Sequence, residues 1–242
     1  MTRPGIATES ASAVAQGAGG ARRAVVEWLG RRPYAPLLER QRALQQQVAA
    51  GEAPDTLLLV EHDPVVTLGR RADRAGIPVP EALARAGIAV VPTERGGNVT
   101  YHGPGQLVAY PILDLRRLAA PAAPDLRDYV GRLEAVVLRV LAAYGIDAVQ
   151  DASRHGVFTP RGKIASVGIH VSRWVTMHGV ALNVAPAMAH WALIQPCGLA
   201  DVRAASIAEY VDPAPPLPDV AARFVDAFAA IFGLRCDGGL AP

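Results

Sequence analysis

The sequence has few cysteines, few aromatic side chains and no excess of charge of either sign. Two cysteines in 242 residues cannot build a disulfide framework, and they favour a reducing compartment. Aromatic residues make up 5% of the chain and the formal net charge is +2. This argues against a dedicated nucleic-acid binder, which would show a basic face with interleaved aromatics. No run of 18 apolar residues occurs, so we expect no membrane span.

Apolar residues are abundant at 51% of the chain, which is enough to bury a sizeable core. Helical and strand-like patterns alternate irregularly, which predicts an α+β fold with a mixed, largely antiparallel sheet flanked by helices. Residues 1–23 are rich in Ala, Gly, Ser and Thr without a secretory apolar region, so we expect a disordered leader there. A single domain over residues 24–236 and a flexible tail over 237–242 complete the predicted organisation.

The spacing of apolar residues locates the individual elements. Asp125 is the expected N-cap of the clearest helix and Gly145 its end. Helices are predicted at 35–50, 80–86, 125–144 and 217–232. Strands are predicted at 56–61, 65–69, 88–92, 107–113, 146–150, 155–159, 163–172 and 174–184.

The cationic residues are unevenly divided between the two types. Of 24 lysines and arginines, 23 are arginine and one is lysine, Lys163. Arginine is effectively never deprotonated in proteins, whereas a lysine can give up its proton when its surroundings lower its pKa. A chemical role that arginine cannot fill and chance survival are both compatible with this count.

Two glycine-containing segments are candidate ligand sites. Residues 95–106 combine four glycines with Arg, Asn, Thr, Tyr and His side chains, which favours a binding loop over a simple hairpin. Residues 156–163 invite comparison with a phosphate loop. However, five residues separate the glycines instead of four, and Ile164 stands where Ser or Thr must hold magnesium. We therefore reject a Walker-type ATP site.

The two cysteines differ in their neighbours. Cys197 lies between proline and glycine, where a tight turn can present the thiol beside exposed backbone N–H groups, as a nucleophile with an oxyanion site requires. A free cysteine is also commonly a small buried hydrophobe, and Cys236 fits that description. All six histidines precede Cys197, which excludes a papain-like order, and no HxxxH or CxxC spacing indicates a metal site.

Six segments together resemble the lipoyl (octanoyl) transferases, the LipB family. They occur in order at 55–59, 61–70, 95–106, 163–168, 176–183 and 196–198, and the resemblance spans roughly residues 25–235. Each segment alone is weak evidence for the family, but six segments in the same order make a chance match very improbable.

The resemblance implies the fold shared by lipoate and biotin protein ligases and a cytoplasmic acyltransferase. Such an enzyme moves an octanoyl group from octanoyl-acyl carrier protein to a lysine of a lipoyl domain, in 2-oxoacid dehydrogenase complexes or the glycine cleavage H protein. This is the first step of endogenous protein lipoylation, and it implies no cofactor, metal, nucleic acid or membrane. Carried over by motif, Cys197 is the acyl-thioester nucleophile and Lys163 its partner. The implied substrate-binding residues are Arg95, Gly96, Gly97, Asn98, Val99, Thr100, Tyr101, His102, Ser166, Val167, Gly168, His178, Gly179, Val180 and Ala181.

The chemistry can also be argued without the family. A thioester donor is already activated, so no ATP is needed, and a cation near Cys197 would stabilise its thiolate. The acceptor amine must lose a proton, which costs about 4–5 kcal/mol near pH 7 for a free pKa of about 10.4. A neutral Lys163 can take that proton, whereas arginine cannot. Burying seven carbons contributes on the order of 5–6 kcal/mol, so octanoyl is preferred and neighbouring lengths are accepted.

Two other functions are compatible with parts of the sequence. An ATP-dependent lipoate or biotin ligase of related fold would activate a free acid and need no cysteine. A carrier-protein binding module would leave Cys197 unreactive toward mild alkylation near neutral pH.

Overall fold

An eight-stranded sheet and a three-stranded sheet form the centre of the computed structural model, which describes residues 22–72, 80–151, 155–194 and 203–239. The strands in chain order are β1 (Arg22–Arg32), β2 (Thr56–His62), β3 (Val65–Leu68), β4 (Ala89–Pro92), β5 (Val99–His102), β6 (Gln106–Ile112), β7 (Val149–Gln150), β8 (Gly156–Thr159), β9 (Gly162–Ser172), β10 (Val175–Asn183) and β11 (Leu234–Asp237). The α-helices are α1 (Tyr34–Ala50), α2 (Pro80–Arg85), α3 (Leu115–Ala119), α4 (Leu126–Ala142) and α5 (Leu217–Phe232). Short 3-10 helices cover Met188–Leu193 and Ile207–Glu209.

The large sheet has the order β11-β1-β2-β6-β10-β9-β8-β7. Strand β1 runs parallel to both of its neighbours, and every other pairing in this sheet is antiparallel. In the small sheet, of order β4-β3-β5, strand β3 is parallel to β4 and antiparallel to β5. The predicted α+β class with a mixed, largely antiparallel sheet is confirmed.

Helices cover both faces of the large sheet, which explains the continuous apolar runs of its central strands. In β2, Leu57 and Leu59 pack into the cluster formed with α4 and α5, while Leu58 and Val60 pack on the opposite side with Leu37 of α1. A strand buried on both faces has no polar side, so its sequence does not alternate. None of the helices within the described ranges is long and apolar enough to cross a bilayer.

The predicted start of α4 and the predicted end of α1 agree with the structure, whereas α4 ends at Ala142, three residues before the expected Gly145. The side chain of Asp125 accepts a hydrogen bond from the backbone N–H of Arg127 at the start of α4. Helix α1 ends at Gly51, which has φ 78°. Of the predicted strand 146–150, only Val149–Gln150 pairs with a neighbour, because Ile146 packs into the core instead.

Strand pairing extends slightly beyond the predicted domain at both of its ends. Strand β1 begins at Arg22, two residues before the expected start, because Arg22 pairs with Leu234 of β11 and its guanidinium binds Asp55 at 2.7 Å. Asp237, expected in the tail, pairs with Val25 as the last residue of β11. Residues 1–21 and 240–242 lie outside the described residues, so the leader and the tail stay predictions there.

Candidate active site

A cavity of about 620 Å³ is lined by residues of both sheets. Strand β5 and the loop before it line one side, and β6, β9 and β10 contribute to the other, with His155 just before β8. The backbone N–H of Gly96 in that loop donates to the carbonyl of Ile169 in β9 at 2.8 Å. This bond fixes the small sheet and its loop against the large one at the cavity.

The predicted substrate-binding residues converge on this cavity. All of them except Tyr101 line it, and so does Lys163. Tyr101 is fully buried on the other side of β5, where it packs with Val66 and Trp191 and its hydroxyl lies 2.8 Å from His190 Nδ1. Because side chains alternate along a strand, Thr100 and His102 face the cavity while Tyr101 faces away. The role of the lining residues in binding stays a prediction.

Lys163, at the start of β9, is buried at one end of the cavity. Its ammonium donates a hydrogen bond to the backbone carbonyl of His155 at 2.9 Å and lies 5.4 Å from the centre of the Phe158 ring. The side chain therefore stands beside strand β8, held by a carbonyl and an aromatic face. Such a site keeps the ammonium oriented while leaving it at the cavity wall.

Gly156 leaves the space in which the Lys163 side chain lies. A Cβ at Gly156 would stand 2.5 Å from Lys163 Cε and 3.2 Å from Nζ, and its φ is +136°. The N–H of Gly156 donates to the carboxylate of Glu134 in α4 at 2.6 Å. Burial raises the pKa of Glu134, opposed by this hydrogen bond and by the neighbouring side chains of His155 and Lys163. Glu134 thus supports the turn against which Lys163 packs.

The chain that follows Cys197 runs beside the backbone of Lys163. The N–H of Lys163 donates to the carbonyl of Arg203 at 2.8 Å, and the carbonyl of Lys163 accepts from the N–H of Ala205 at 2.9 Å. Cys197 itself lies outside the described residues, since these end at Ile194 and resume at Arg203. Its predicted place beside Lys163 is therefore untested.

Arg95 fixes the glycine-rich loop from inside. Its side chain is buried, and its guanidinium donates to the hydroxyl and the carbonyl of Thr67 in β3 and to the carbonyl of Gly96. The contact at the Thr67 carbonyl is 2.6 Å. A charged group satisfied by several oxygens can remain buried. Arg95 therefore places a positive charge in the cavity wall and holds the loop on β3.

A cluster of histidines and tyrosines lies at the side of the cavity that faces α1. His62 Nε2 is 2.8 Å from the hydroxyl of Tyr110, and the rings of Tyr34 and His102 stack at 5.9 Å. Burial lowers the pKa of His62 to about 4 and that of His102 to about 3. Burial also raises the pKa of Tyr34 to about 12. These groups are therefore neutral near pH 7, so this side of the cavity is polar without being charged.

His178 lines the same end of the cavity and is held by charged residues behind it. Its Nε2 lies 3.7 Å from Glu94 Oε2, and the guanidinium of Arg42 binds both oxygens of Glu94 at 2.8 and 3.0 Å. Burial lowers the pKa of His178, opposed by Glu94. The polar contact with His178, followed by that with Arg42, holds the pKa of Glu94 well below its usual range. Arg42, Glu94 and His178 thus form a chain that leads from helix α1 to the cavity.

Several lining residues were missed by the sequence analysis. Tyr110 could have been found from the alternation of its strand. Leu107 and Ala109 face the cluster with α4 and α5, so Tyr110 faces the other side of the sheet. His155 could have been suspected from its position next to the Gly156–Lys163 segment. The others carry no local signal. The missed residues are Tyr34, Arg71, Val108, Tyr110, Val130, His155 and Ile169.

Metal binding has no support among the described side chains. No group of three or more His, Cys, Asp or Glu residues in the ranges 22–72, 80–151, 155–194 and 203–239 is arranged to hold a metal ion. The polar groups of the cavity are instead a lysine, an arginine, histidines, tyrosines and hydroxyls, which suit an organic ligand.

Comparison with known proteins identifies the family. The lipoyl protein ligase A/B catalytic domain family matches residues 33–229. An octanoyltransferase of Chloroflexus aggregans is 44% identical over 86% of this chain and 94% of its own length. The chain belongs to the lipoyl protein ligase A/B catalytic domain family. A second relative, the octanoyltransferase of Solibacter usitatus, is 45% identical over 84% of this chain and 90% of its own.

This acyltransferase also shares the fold of solved lipoate ligases. The bipartite lipoate protein ligase of Thermoplasma acidophilum has a TM-score of 0.66 at 16% identity, over 90% of this chain and 87% of that one. The predicted resemblance to the octanoyltransferases and the predicted ligase-like fold are confirmed, as is the assignment as an acyltransferase. The alternative of an ATP-dependent ligase has less support, because the curated relatives are octanoyltransferases.

Proposed function

We propose that this acyltransferase moves an octanoyl group from octanoyl-acyl carrier protein to a lysine of a lipoyl domain, through a thioester on Cys197. The observation that carries the proposal is the placement of Lys163, the only lysine of the chain, at the end of the cavity, with the chain segment after Cys197 bonded to its backbone. The acceptor domains belong to 2-oxoacid dehydrogenase complexes or the glycine cleavage H protein, and the proposal includes a cytoplasmic location.

The length of the covalent chain allows Cys197 to lie within range of Lys163. Cys197 is six positions before Arg203, and an extended chain of that length spans at most about 20 Å. Arg203 is hydrogen-bonded to the backbone of Lys163, so this length permits contact between the sulfur and the ammonium. This supports a cysteine–lysine pair.

In the first half-reaction, the Cys197 thiolate attacks the carbonyl carbon of the donor thioester. A new carbon–sulfur bond forms, and the carbon–sulfur bond to the carrier breaks as the carrier sulfur takes a proton from the Lys163 ammonium and leaves as a thiol. The positive charge of Lys163 stabilises the thiolate before attack. Exchange of one thioester for another is close to neutral in free energy, so no ATP is consumed.

In the second half-reaction, the acceptor amine attacks the Cys197 thioester. An amide bond forms, the Cys197 thiolate leaves, and the amine proton passes to Lys163 acting as a base. Lys163 thus stabilises the thiolate as an ammonium and, once it has given its proton to the carrier thiol, takes up the amine proton as a neutral base. Arginine could perform only the first of these tasks.

Intact-protein mass after incubation with octanoyl-acyl carrier protein tests the proposal. The wild-type protein is expected to gain the mass of one octanoyl group, and Cys197→Ser is expected to gain none. Lys163→Arg is expected to lose at least about 100-fold in transfer to the amine, which is the usual contribution of a positioned base. Unchanged turnover in Cys197→Ala would overturn the proposal, as would ATP-dependent use of free lipoate that is indifferent to Cys197.

Cys236 provides the matched control. It lies on β11 at the opposite edge of the large sheet from β8 and β9, and burial raises the pKa of its thiol. Cys236→Ser is expected to form the octanoyl-enzyme at the wild-type rate. If Cys236→Ser lost the octanoyl adduct and Cys197→Ser retained it, the nucleophile would be Cys236 and the proposed role of Cys197 would be wrong.

A further inference from the structure

We propose that the imidazole of His178 closes the far end of the acyl site and thereby sets the longest acyl chain that the enzyme accepts. The proposal rests on the proposed function, because it takes the acyl carbonyl to lie at Lys163. It adds a specificity-determining role for His178 and a positioning role for Glu94 and Arg42.

Strand register gives the distance between Lys163 and His178. The ammonium lies beside Gly156, which pairs with Ser166 of β9, and His178 pairs with Ile169 three residues further along β9. Three residues advance about 10 Å along a strand, and the two strand spacings from β8 to β10 add about 10 Å sideways. The direct separation is therefore about 14 Å between these backbone positions.

An octanoyl chain has the length that this separation allows. Each carbon–carbon bond of about 1.5 Å advances about 1.25 Å in an extended chain, so the seven bonds of an octanoyl group span about 9 Å. The carbonyl must lie within contact distance of Lys163, and the terminal methyl also occupies space. The methyl group of an eight-carbon chain therefore reaches the imidazole of His178, and a longer chain meets it before the carbonyl is in place.

The backbone and the neighbours of His178 hold the imidazole rigidly. His178 has φ +60°, which is rare for a non-glycine residue, and its N–H donates to the buried amide oxygen of Gln41 at 3.1 Å. Glu94, clamped by Arg42 from helix α1, stands behind the ring, and Tyr110 meets it edge-on at 6.4 Å. A side chain held from several directions cannot turn aside for an extra methylene at low cost.

The polar nitrogen of this wall is turned toward Glu94. Within the part of the chain that the structure describes, His178 Nε2 is buried, has no hydrogen-bond partner and lies 3.7 Å from the Glu94 carboxylate. The limit that the imidazole sets on a longer acyl chain is therefore steric.

His178→Gly is the decisive variant, because glycine accepts the positive φ and removes only the imidazole. Octanoyl, decanoyl and dodecanoyl thioesters of acyl carrier protein are compared by kcat/KM and by the mass of the acyl-enzyme. The ratio of dodecanoyl to octanoyl kcat/KM is expected to rise at least 10-fold, since each additional buried methylene contributes about fourfold. Glu94→Ala, which leaves the imidazole but removes its support, is expected to raise the ratio by a smaller factor.

His155→Gly is the matched control. It has φ +40° and lines the same cavity at the Lys163 end, so the same substitution is made there without opening the far wall. Its ratio of dodecanoyl to octanoyl kcat/KM is expected to stay within twofold of wild type, whatever its effect on the rate. His178→Asn, which tolerates a positive φ, serves in place of the glycine variant if that protein does not fold.

The outcomes separate this inference from the proposed function. An octanoyl-enzyme in the wild type together with an unchanged length ratio in folded His178→Gly would overturn the role of His178 alone. A uniform rise in KM for all three thioesters would overturn it as well, because His178 would then contact the carrier arm. A wild-type protein that forms no acyl-enzyme at any length would overturn the proposed function itself.

Discussion

Single residues decide where the side chain of Lys163 stands. Lys163 takes its position from a carbonyl, an aromatic ring and the missing side chain of Gly156, and each of these comes from strand β8 or its turn. The nucleophile and the base of an acyl transfer must be placed to well within an ångström, since small displacements cost large factors in rate. The geometry around Gly156 is therefore as important to the proposed reaction as the charge of Lys163.

Gly156→Ala is expected to displace Lys163 and to destabilise the fold. The new Cβ would stand 2.5 Å from both Lys163 Cε and the carbonyl oxygen of Ala165, at a φ of +136°. We expect a loss of about 100-fold in kcat/KM and about 2–3 kcal/mol in unfolding free energy, measured by kinetics and by urea denaturation.

Gly145→Ala is the control for the backbone effect. Gly145 has φ +68° and no atom within 4 Å of the position a Cβ would take. It should lose about 1 kcal/mol of stability and keep its activity. Equal activity in the two alanine variants would contradict the role assigned to Gly156.

The candidate site was largely predictable at this scale, with one error and one omission that have physical causes. Tyr101 was predicted to line the site because the resemblance carries over residues 95–102 as one segment, and the alternation of strand β5 turns its side chain away. His155 was not singled out, because an isolated histidine in a sequence gives no sign that its backbone carbonyl binds a lysine eight positions later. Both facts depend on strand pairing that the local sequence does not encode.

Paired strands form the walls of the cavity, and the hairpin of β9 and β10 supplies many of the lining residues. Its two-residue turn consists of Arg173 and Trp174, with φ of 50° and 63°. Two consecutive positive φ values describe the turn whose twist suits a hairpin, and asparagine followed by glycine is the pair that adopts it most readily. The Arg173–Trp174 pair adopts this conformation at a cost in folding free energy, because both residues carry side chains at positive φ.

Replacing Arg173–Trp174 with Asn–Gly is expected to stabilise the protein by about 1 kcal/mol, because two side chains leave an unfavourable backbone conformation. The backbone carbonyl of Trp174, which accepts from Leu115, is retained. Thermal unfolding measures the effect, and octanoyl transfer should be unaltered. A lower melting temperature would show that the exposed indole contributes more than the turn conformation costs.

The elements that sequence analysis missed are those stabilised by distant partners. Strand β1 carries charged residues at both of its ends and a register shift between Trp28 and Arg31, so its sequence has no clean alternation. The segment forms a strand because it pairs with β2 on one side and with β11 on the other. Strand β11 lies about two hundred residues later in the chain, so no local pattern indicates this pairing. Helix α4, whose apolar stripe and N-cap are local, was predicted within two residues at each end.

Across the whole molecule, buried uncharged histidines link stability to pH. His62 and His102 are buried near the cavity, and burial lowers their pKa to about 4 and about 3. In the unfolded chain a histidine has a pKa of about 6.5. Below that value the unfolded state takes up protons that the folded state does not, so stability is complete above about pH 6.5 and is lost as the pH falls toward 4.

Unfolding free energy is therefore expected to fall between pH 6.5 and 4.5, by up to about 1.4 kcal/mol per pH unit for each of these histidines. Urea unfolding at a series of pH values measures the slope. His62→Gln, which keeps a donor and an acceptor beside Tyr110, should lower the slope by the share of one histidine. A stability that does not change over this range would mean that both rings are protonated in the folded protein.

Among the residues that the structure describes, four non-glycine residues have positive φ, and two of them, His155 and His178, stand at opposite ends of the proposed acyl site. Glycine at either position would relax the backbone, so a laboratory evolution experiment that rewards heat resistance alone would tend to remove these imidazoles. Variants that lose the His178 imidazole would be more stable and less selective for acyl length, whereas loss of the His155 imidazole would leave the length selectivity as it is. Stability and length selectivity therefore compete at His178, and any engineering of this scaffold has to screen for both properties together.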